Sequence, residues 1–153
     1  MRIIFQTGLL LLFLFVSIQS AYACGCPHMS FEEKIAATNF VFVGKVVQIT
    51  EDTSRKRKPY ERRRYLVKLK IGEKFKGVRN NEITLVQYED IEPSSCPQWN
   101  LVLDKTYIIY ANKIGKDIEH QVACSPSQIF DSNSPHYKEL LNYKNKKIKN
   151  KKV

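Results

Sequence analysis

Apolar and polar positions divide the chain into a leader, a set of short strands and two helices. Leu9 to Val16 is an unbroken apolar run, and Ala21-Tyr22-Ala23 closes the leader just before Cys24. Ser30-Phe31-Glu32-Glu33 reads as a capping box opening a short helix through about Ala37. Asn39 to Thr50 is β-branched and aromatic with Gly44 at its centre, which predicts a long strand bulged or bent at the glycine. Glu51 to Tyr60 is polar and basic and contains Pro59, an exposed hairpin loop. Tyr65, Val67, Leu69 and Ile71 then alternate with Arg64, Lys68 and Lys70, a half-buried strand with Leu66 as its one outward exception.

Gly72 to Asn81 predicts a turn, and Glu82 to Tyr88 a third strand. Glu89 to Gln98 carries Pro93, Cys96 and Pro97 and reads as a connector. Thr106 to Ala111 and Ile118 to Ala123 predict two more strands around a turn at Gly115. Ser134-Pro135 has the cap-then-proline order of a helix start, and Tyr137, Leu140, Leu141 and Ile148 form one apolar stripe behind it. From Lys144 the Lys/Asn-rich sequence predicts fraying. Five short strands with flanking helices give a mainly β fold, a small antiparallel barrel or sandwich. Periodicity alone does not separate the two, although an immunoglobulin-like sandwich calls for seven strands. There is no internal repeat.

Composition narrows the class. At 153 residues, 43% hydrophobic and 26% charged, the chain suits one folded domain and not wholesale disorder. Its net charge of +10 is unevenly placed. Arg55 to Arg64 (with Arg55, Lys56, Arg57, Lys58, Arg62, Arg63 and Arg64) carries +6, as does Lys138 to Val153, leaving −2 for everything else. A uniformly basic, nucleic-acid-binding body is excluded. The expectation is a near-neutral body bearing two basic segments, the first a basic patch able to steer an acidic target and the second a solvated tail.

The leader has the layout of a secretory signal peptide: Arg2, a short apolar run and a small-x-small cleavage site. The run is short for a membrane span of about 20 residues. Cleavage after residue 23 leaves a chain beginning at Cys24, exported to the extracellular space (or, in a bacterium, to the periplasm or cell surface). All four cysteines, Cys24, Cys26, Cys96 and Cys124, then fall in an oxidising compartment, where an even count points to disulfides. Cys24 and Cys26 are two apart, so in extended chain they face opposite ways and each calls for a distant partner. Two pairings satisfy that condition. In either, long loops are closed, each contributing about 4 kcal/mol on the chain-entropy account.

Enzyme chemistry has no motif to stand on. His28 lies beside the new terminus, His120 within a strand and His136 in the first turn of a helix. No zinc-protease, nucleophile-elbow or phosphate-loop pattern is present. The adjacent carboxylates Glu32-Glu33, Glu51-Asp52 and Glu89-Asp90 read as solvated surface, and Cys24, Cys26 and His28 match no common zinc spacing. No resident cofactor or metal is expected. The terminus itself carries more chemistry. An α-amine titrates near 7.7–8.0, so part of it is neutral at physiological pH. That amine and its own residue's carbonyl oxygen can chelate a metal in a five-membered ring, and a catalytic zinc keeps one position open. Pinning by two disulfides would lower the ordering cost of presenting them.

The signal peptide, Cys24-Gly25-Cys26-Pro27, the strand NFVFVGKVV, Phe75-Lys76-Gly77, Cys96, YIIYA and Cys124-Ser125 together resemble the netrin-like domain of tissue inhibitors of metalloproteinases (TIMPs), closest to the short single-domain forms. The resemblance covers about Cys24 to Leu141. It implies a five-stranded OB-fold-like Greek-key barrel over residues 24–143, after the signal peptide at 1–23 and before a basic tail at 144–153. It also implies the pairing Cys24–Cys96 and Cys26–Cys124. The implied partner is a zinc metalloendopeptidase, whose catalytic zinc the Cys24 amine and carbonyl would chelate. Gly25, Cys26, Pro27 and His28 would lie along the protease cleft, with Ser94, Ser95, Cys96 and Pro97 as the neighbouring edge. The protein would act as a monomer. The chain departs from the pattern at Gly25, where the family presents a side chain to the specificity pocket, and in lacking the inhibitory domain's third disulfide.

Two other readings follow from the same residues. A netrin-like module without a protease target would attach to an acidic polysaccharide or anionic surface through the basic segments. A bacterial lipoprotein would carry its lipid on Cys24, although Ala21 and Tyr22 fit a lipid-attachment signal poorly. Acylation of the Cys24 amine would remove the lone pair that chelation needs.

Overall fold

The computed structural model describes residues 29–54, 61–89, 100–120 and 127–150. Among them are six strands in one sheet and two helices, a mainly β architecture. The order is α1 (Phe31–Ala36), β1 (Phe40–Glu51), β2 (Arg64–Lys76), β3 (Glu82–Tyr88), β4 (Thr106–Ile114), β5 (Asp117–His120), β6 (Gln128–Ile129) and α2 (Pro135–Asn150). β1 pairs antiparallel with β2 along one edge and with β4 along the other. β2 pairs with β3, β4 with β5 and β6, and β3 meets β5 in parallel at Val86 and Glu119.

Side-chain alternation along β1 and β4 explains their continuous apolar runs. Phe42 and Val46 of β1 join Tyr107, Ile109 and Ala111 of β4 in one core, with Val67, Leu69 and Ile71 from β2 and Leu85 from β3. The intervening Val41, Val43, Ile108 and Tyr110 point the other way, into a second core closed by Ile35 of α1 and Tyr137 and Leu140 of α2. Strands buried on both faces lose polar alternation. A strand half-solvated on one face keeps it, as β2 does from Val67 to Ile71.

The capping box opens α1: the Ser30 amide donates to Glu33 Oε2 at 2.7 Å and the Glu33 amide to Ser30 Oγ at 3.3 Å. At the other end of α1, Lys76 Nζ donates to the Ile35 carbonyl at 2.6 Å, placing a cation on the negative end of the helix. Asn39 and Asn112 then lock the entry to β1, the Asn39 amide donating to Asn112 Oδ1 at 2.8 Å and the Lys113 amide to Asn39 Oδ1 at 2.9 Å.

Gly44 sits at a register shift in β1, where a Cβ would meet the Phe42 ring at 3.1 Å, so the bulge expected there is present. β3 has the predicted bounds. β2 runs on to Lys76 instead of turning at Gly72, because irregular pairing with β1 lets Glu73 and Phe75 reach the second core and α2. The chain turns at Gly77, whose φ of +75° and position leave no room for a side chain: a Cβ there would lie 2.1 Å from the Asn39 carbonyl oxygen. β4 continues to Ile114 and β5 begins at Asp117, while 121–126 lies outside the described residues. β6 is an addition of two residues with too little pattern to announce itself. Helix α2 also differs from expectation: it remains helical past Lys144 to Asn150, although Ile148 is exposed.

His136 helps dock α2. Its Nε2 lies 2.9 Å from the Tyr110 hydroxyl, its Nδ1 lies 3.8 Å from Glu139, and the Phe31 ring of α1 packs edge-on against it. Burial, assisted by Lys34 of α1 and opposed by Glu139, holds the imidazole below its ordinary value of 6.5. The native state therefore favours neutral His136, and the unfolded chain takes up the proton first. His136 should lower stability as pH falls from 6.5 toward the depressed native value and add no slope above it. Urea melts of the wild type and His136→Gln at pH 7.5 and 5.0 check this, with the wild type losing more on acidification. Gly77→Ala should cost at least about 2 kcal/mol in the same assay at neutral pH, from the positive φ and the backbone clash.

Candidate functional site

The residues expected to face a protease, Cys24, Gly25, Cys26, Pro27, His28, Ser94, Ser95, Cys96 and Pro97, lie outside the described residues, as does Cys124 with both implied disulfides. The described chain next to them is firmly anchored. Met29 leads directly into the Ser30 cap of α1. On one side of 90–99, the Glu89 amide donates to the Arg63 carbonyl at 2.8 Å. On the other, the Leu101 amide donates to Oε1 of buried Gln87 at 2.8 Å, and Leu101 is itself in the first core. After 121–126, buried Ser127 accepts the Tyr110 amide through Oγ at 2.8 Å.

Arg55, Lys56, Arg57 and Lys58 of the basic patch also lie outside the described residues, whereas Arg62, Arg63 and Arg64 fall within them. Those three do not form one free cationic surface. Arg62 is exposed. Arg63 pairs with Glu89 at 3.3 Å, and its hydrogen bond with Tyr65, then the Glu89 charge, favour its protonated form. Arg64 is turned into the body: one guanidinium nitrogen bonds Asp52 and the other reaches Asp117 Oδ2 at 2.7 Å. The Arg64 side chain is 13% exposed and that of Asp52 only 5%. Arg64 therefore leaves the steering patch, and Asp52 is not solvated surface. A buried carboxylate persists there because the guanidinium and backbone satisfy it; Asp52 Oδ1 also accepts the Ser54 amide at 3.0 Å.

This ion cluster ties the ends of β1 and β2 to the start of β5. Beside it is a cleft of about 410 Å³ lined by Glu51, Asp52, Thr53, Glu61, Arg62, Arg63, Arg64 and Tyr88. The Tyr88 hydroxyl donates to Glu119 at 3.3 Å, and burial, then the Glu119 charge, raises its pKa. Arg64 Nε is buried without a hydrogen-bond partner. Carboxylates and guanidinia both line the cleft, and the Arg64 cluster fastens its wall.

Of the histidines, His28 is outside the described residues, His120 ends β5 opposite Ala111, and His136 is engaged with Tyr110. No group of three or more potential metal ligands occurs among the described residues, and no helix there is long and apolar enough to cross a membrane. No family model and no curated protein matches the chain.

Asp52 is the more buried partner and Arg64 is its counter-charge, so removing Arg64 strands Asp52, whereas removing Asp52 leaves Arg64 with Asp117. Arg64→Ala should cost about 3 kcal/mol in a urea melt, whereas Arg62→Ala should stay within about 0.5 kcal/mol.

Proposed function

We propose that the chain is a secreted, TIMP-like inhibitor that chelates the catalytic zinc of a metalloendopeptidase through the free α-amine and carbonyl of Cys24, carried on a five-stranded OB-fold-like barrel. The observation that carries the reading is the order of strand pairing. Ala111 of β4 pairs with Phe40 of β1; one residue on, Asn112 pairs with Glu119 of β5. Glu119 pairs with Val86 of β3, Val86 with Leu66 of β2, and Leu66 with Thr50 of β1. The circuit leaves β1 at Phe40 and rejoins it at Thr50, the kind of stagger that closing a sheet on itself requires. Antiparallel neighbours throughout, with one parallel contact between β3 and β5, fit the Greek-key order of an OB-fold.

Fold alone does not specify inhibition, so the functional step rests on the sequence resemblance at Cys24-Gly25-Cys26-Pro27. With disulfides Cys24–Cys96 and Cys26–Cys124, the terminus would be fixed against the edge Ser94-Ser95-Cys96-Pro97. A neutral amine and adjacent carbonyl would then displace the water on the target's zinc. His28 and Pro27 would extend the contact along the cleft. Gly25 offers nothing to the specificity pocket, so affinity depends on chelation and the flanking edge.

The test is an inhibition panel on zinc endopeptidases, after intact mass has established a free Cys24 amine and two disulfides. One extra residue before Cys24, or acetylation of its amine, should weaken inhibition at least about 100-fold, because the chelating pair is removed. Unchanged inhibition after that extension, or a lipid adduct on Cys24, would overturn the reading.

A further inference from the structure

Helix α2 continues beyond the body that supports it. Tyr137 and Leu140 are its buried contacts, and residues 145–150 are all exposed. Four exposed residues, Lys138, Asn142, Asn145 and Lys149, recur at spacings of four, three and four. They therefore fall on one side of the helix, in a line about 16 Å long. Ile148 instead continues the side that bears Tyr137 and Leu140, so this line is wholly polar. Lys146 stands next to it, at the rim of a groove shared with Glu32 and Glu139.

Several other cations near the sheet already have structural partners. Lys45 bonds Asp104 at 3.0 Å and Lys68 bonds Glu82 at 2.7 Å. Lys74 and Lys76 donate to backbone carbonyls, and Arg64 is held by two carboxylates. Even within α2, Lys144 lies 3.5 Å from Glu73 and Lys147 stands over the Tyr143 ring. Lys138 and Lys149 have no acidic partner among the described residues. Their ammonium groups only donate, and the amides of Asn142 and Asn145 between them both donate and accept.

We propose that this face of α2 binds a linear sulfated polysaccharide, with Lys138, Lys146 and Lys149 on sulfate groups and Asn142 and Asn145 on sugar hydroxyls. Charge complementarity argues for a polyanion, and the line of donors for an extended chain. The line itself has no apolar residue to enter a lipid surface or to anchor a folded protein. Such binding needs neither Cys24 nor a protease, so it stands independently of the inhibitor reading.

Heparin is the probe, with the full chain and with Lys138→Gln/Lys146→Gln/Lys149→Gln. A control, Lys70→Gln/Lys113→Gln/Lys116→Gln, removes the same charge from exposed sites off α2. At 0.15 M salt the α2 variant should bind heparin at least about tenfold more weakly and elute at lower salt, with the control within about twofold of wild type. Circular dichroism should show unchanged helix content in both. Equal losses in the two variants would reduce the effect to net charge and overturn the assignment, as would no loss in either. A loss on polyglutamate or on phosphatidylserine vesicles as large as that on heparin would overturn the choice of partner.

Discussion

Strand β1 is paired along both edges and buried on both faces over its first half, and the remaining elements are arranged around that constraint. Phe42 and Val46 fill one core while Val41 and Val43 fill the other. Neither set can be solvated without exposing several large apolar side chains, each contributing about 1.5–3 kcal/mol when buried. β2 and β4 must flank β1, and α1 and α2 must cover the outward face. Gly44 belongs to the same constraint, because a side chain there would press on the Phe42 ring.

What was legible in the chain follows from this. β3 and the capped start of α1 were readable because their signals are local: apolar β-branched residues in one case, a Ser-x-x-Glu box in the other. The bulge at Gly44 was readable because a glycine inside a strand pattern has few other reasons to be there. The last third of β2 was not, since Gly72 looks like a turn and its pairing depends on a partner distant in sequence. Asp52 and Arg64 looked like surface for a similar reason. Nothing adjacent announces that Asp117 comes within 2.7 Å and makes a three-member cluster worth burying. The predicted inhibitory ridge lies outside the described residues, so its reading rests on the sequence resemblance alone.

Net charge takes on a different meaning in three dimensions. The sequence divides +10 into two basic segments and a near-neutral remainder. In the fold, individual cations serve as fasteners: Lys76 at the end of α1, Lys74 across the turn after β2, Lys144 between α2 and Glu73, Arg64 between β1 and β5. A cation paired with a carboxylate, as Lys144 and Arg64 are, contributes little to long-range steering, because the opposite charge beside it cancels most of its field. One that donates to a neutral carbonyl keeps its charge. At the foot of the first hairpin Arg63 and Arg64 are paired with carboxylates, whereas Lys138 and Lys149 of α2 have no acidic partner among the described residues.

Helix α1 links the architecture to the proposed activity. A terminus that chelates a metal in another protein loses affinity for every degree of freedom it must give up on binding, so its support has to be rigid before the target arrives. Ser30 and Glu33 close the start of α1, Lys76 closes its end, Ile35 anchors it in the second core, and Phe31 packs against His136 and Tyr143 of α2. Only Met29 separates that anchored cap from His28, the last of the proposed cleft contacts. Two disulfides would tether the terminus from one end of the Cys24–His28 segment while α1 holds the other. A five-residue segment so fixed would have little freedom left to lose, and such preorganisation would matter most if Gly25 left a target's specificity pocket unfilled.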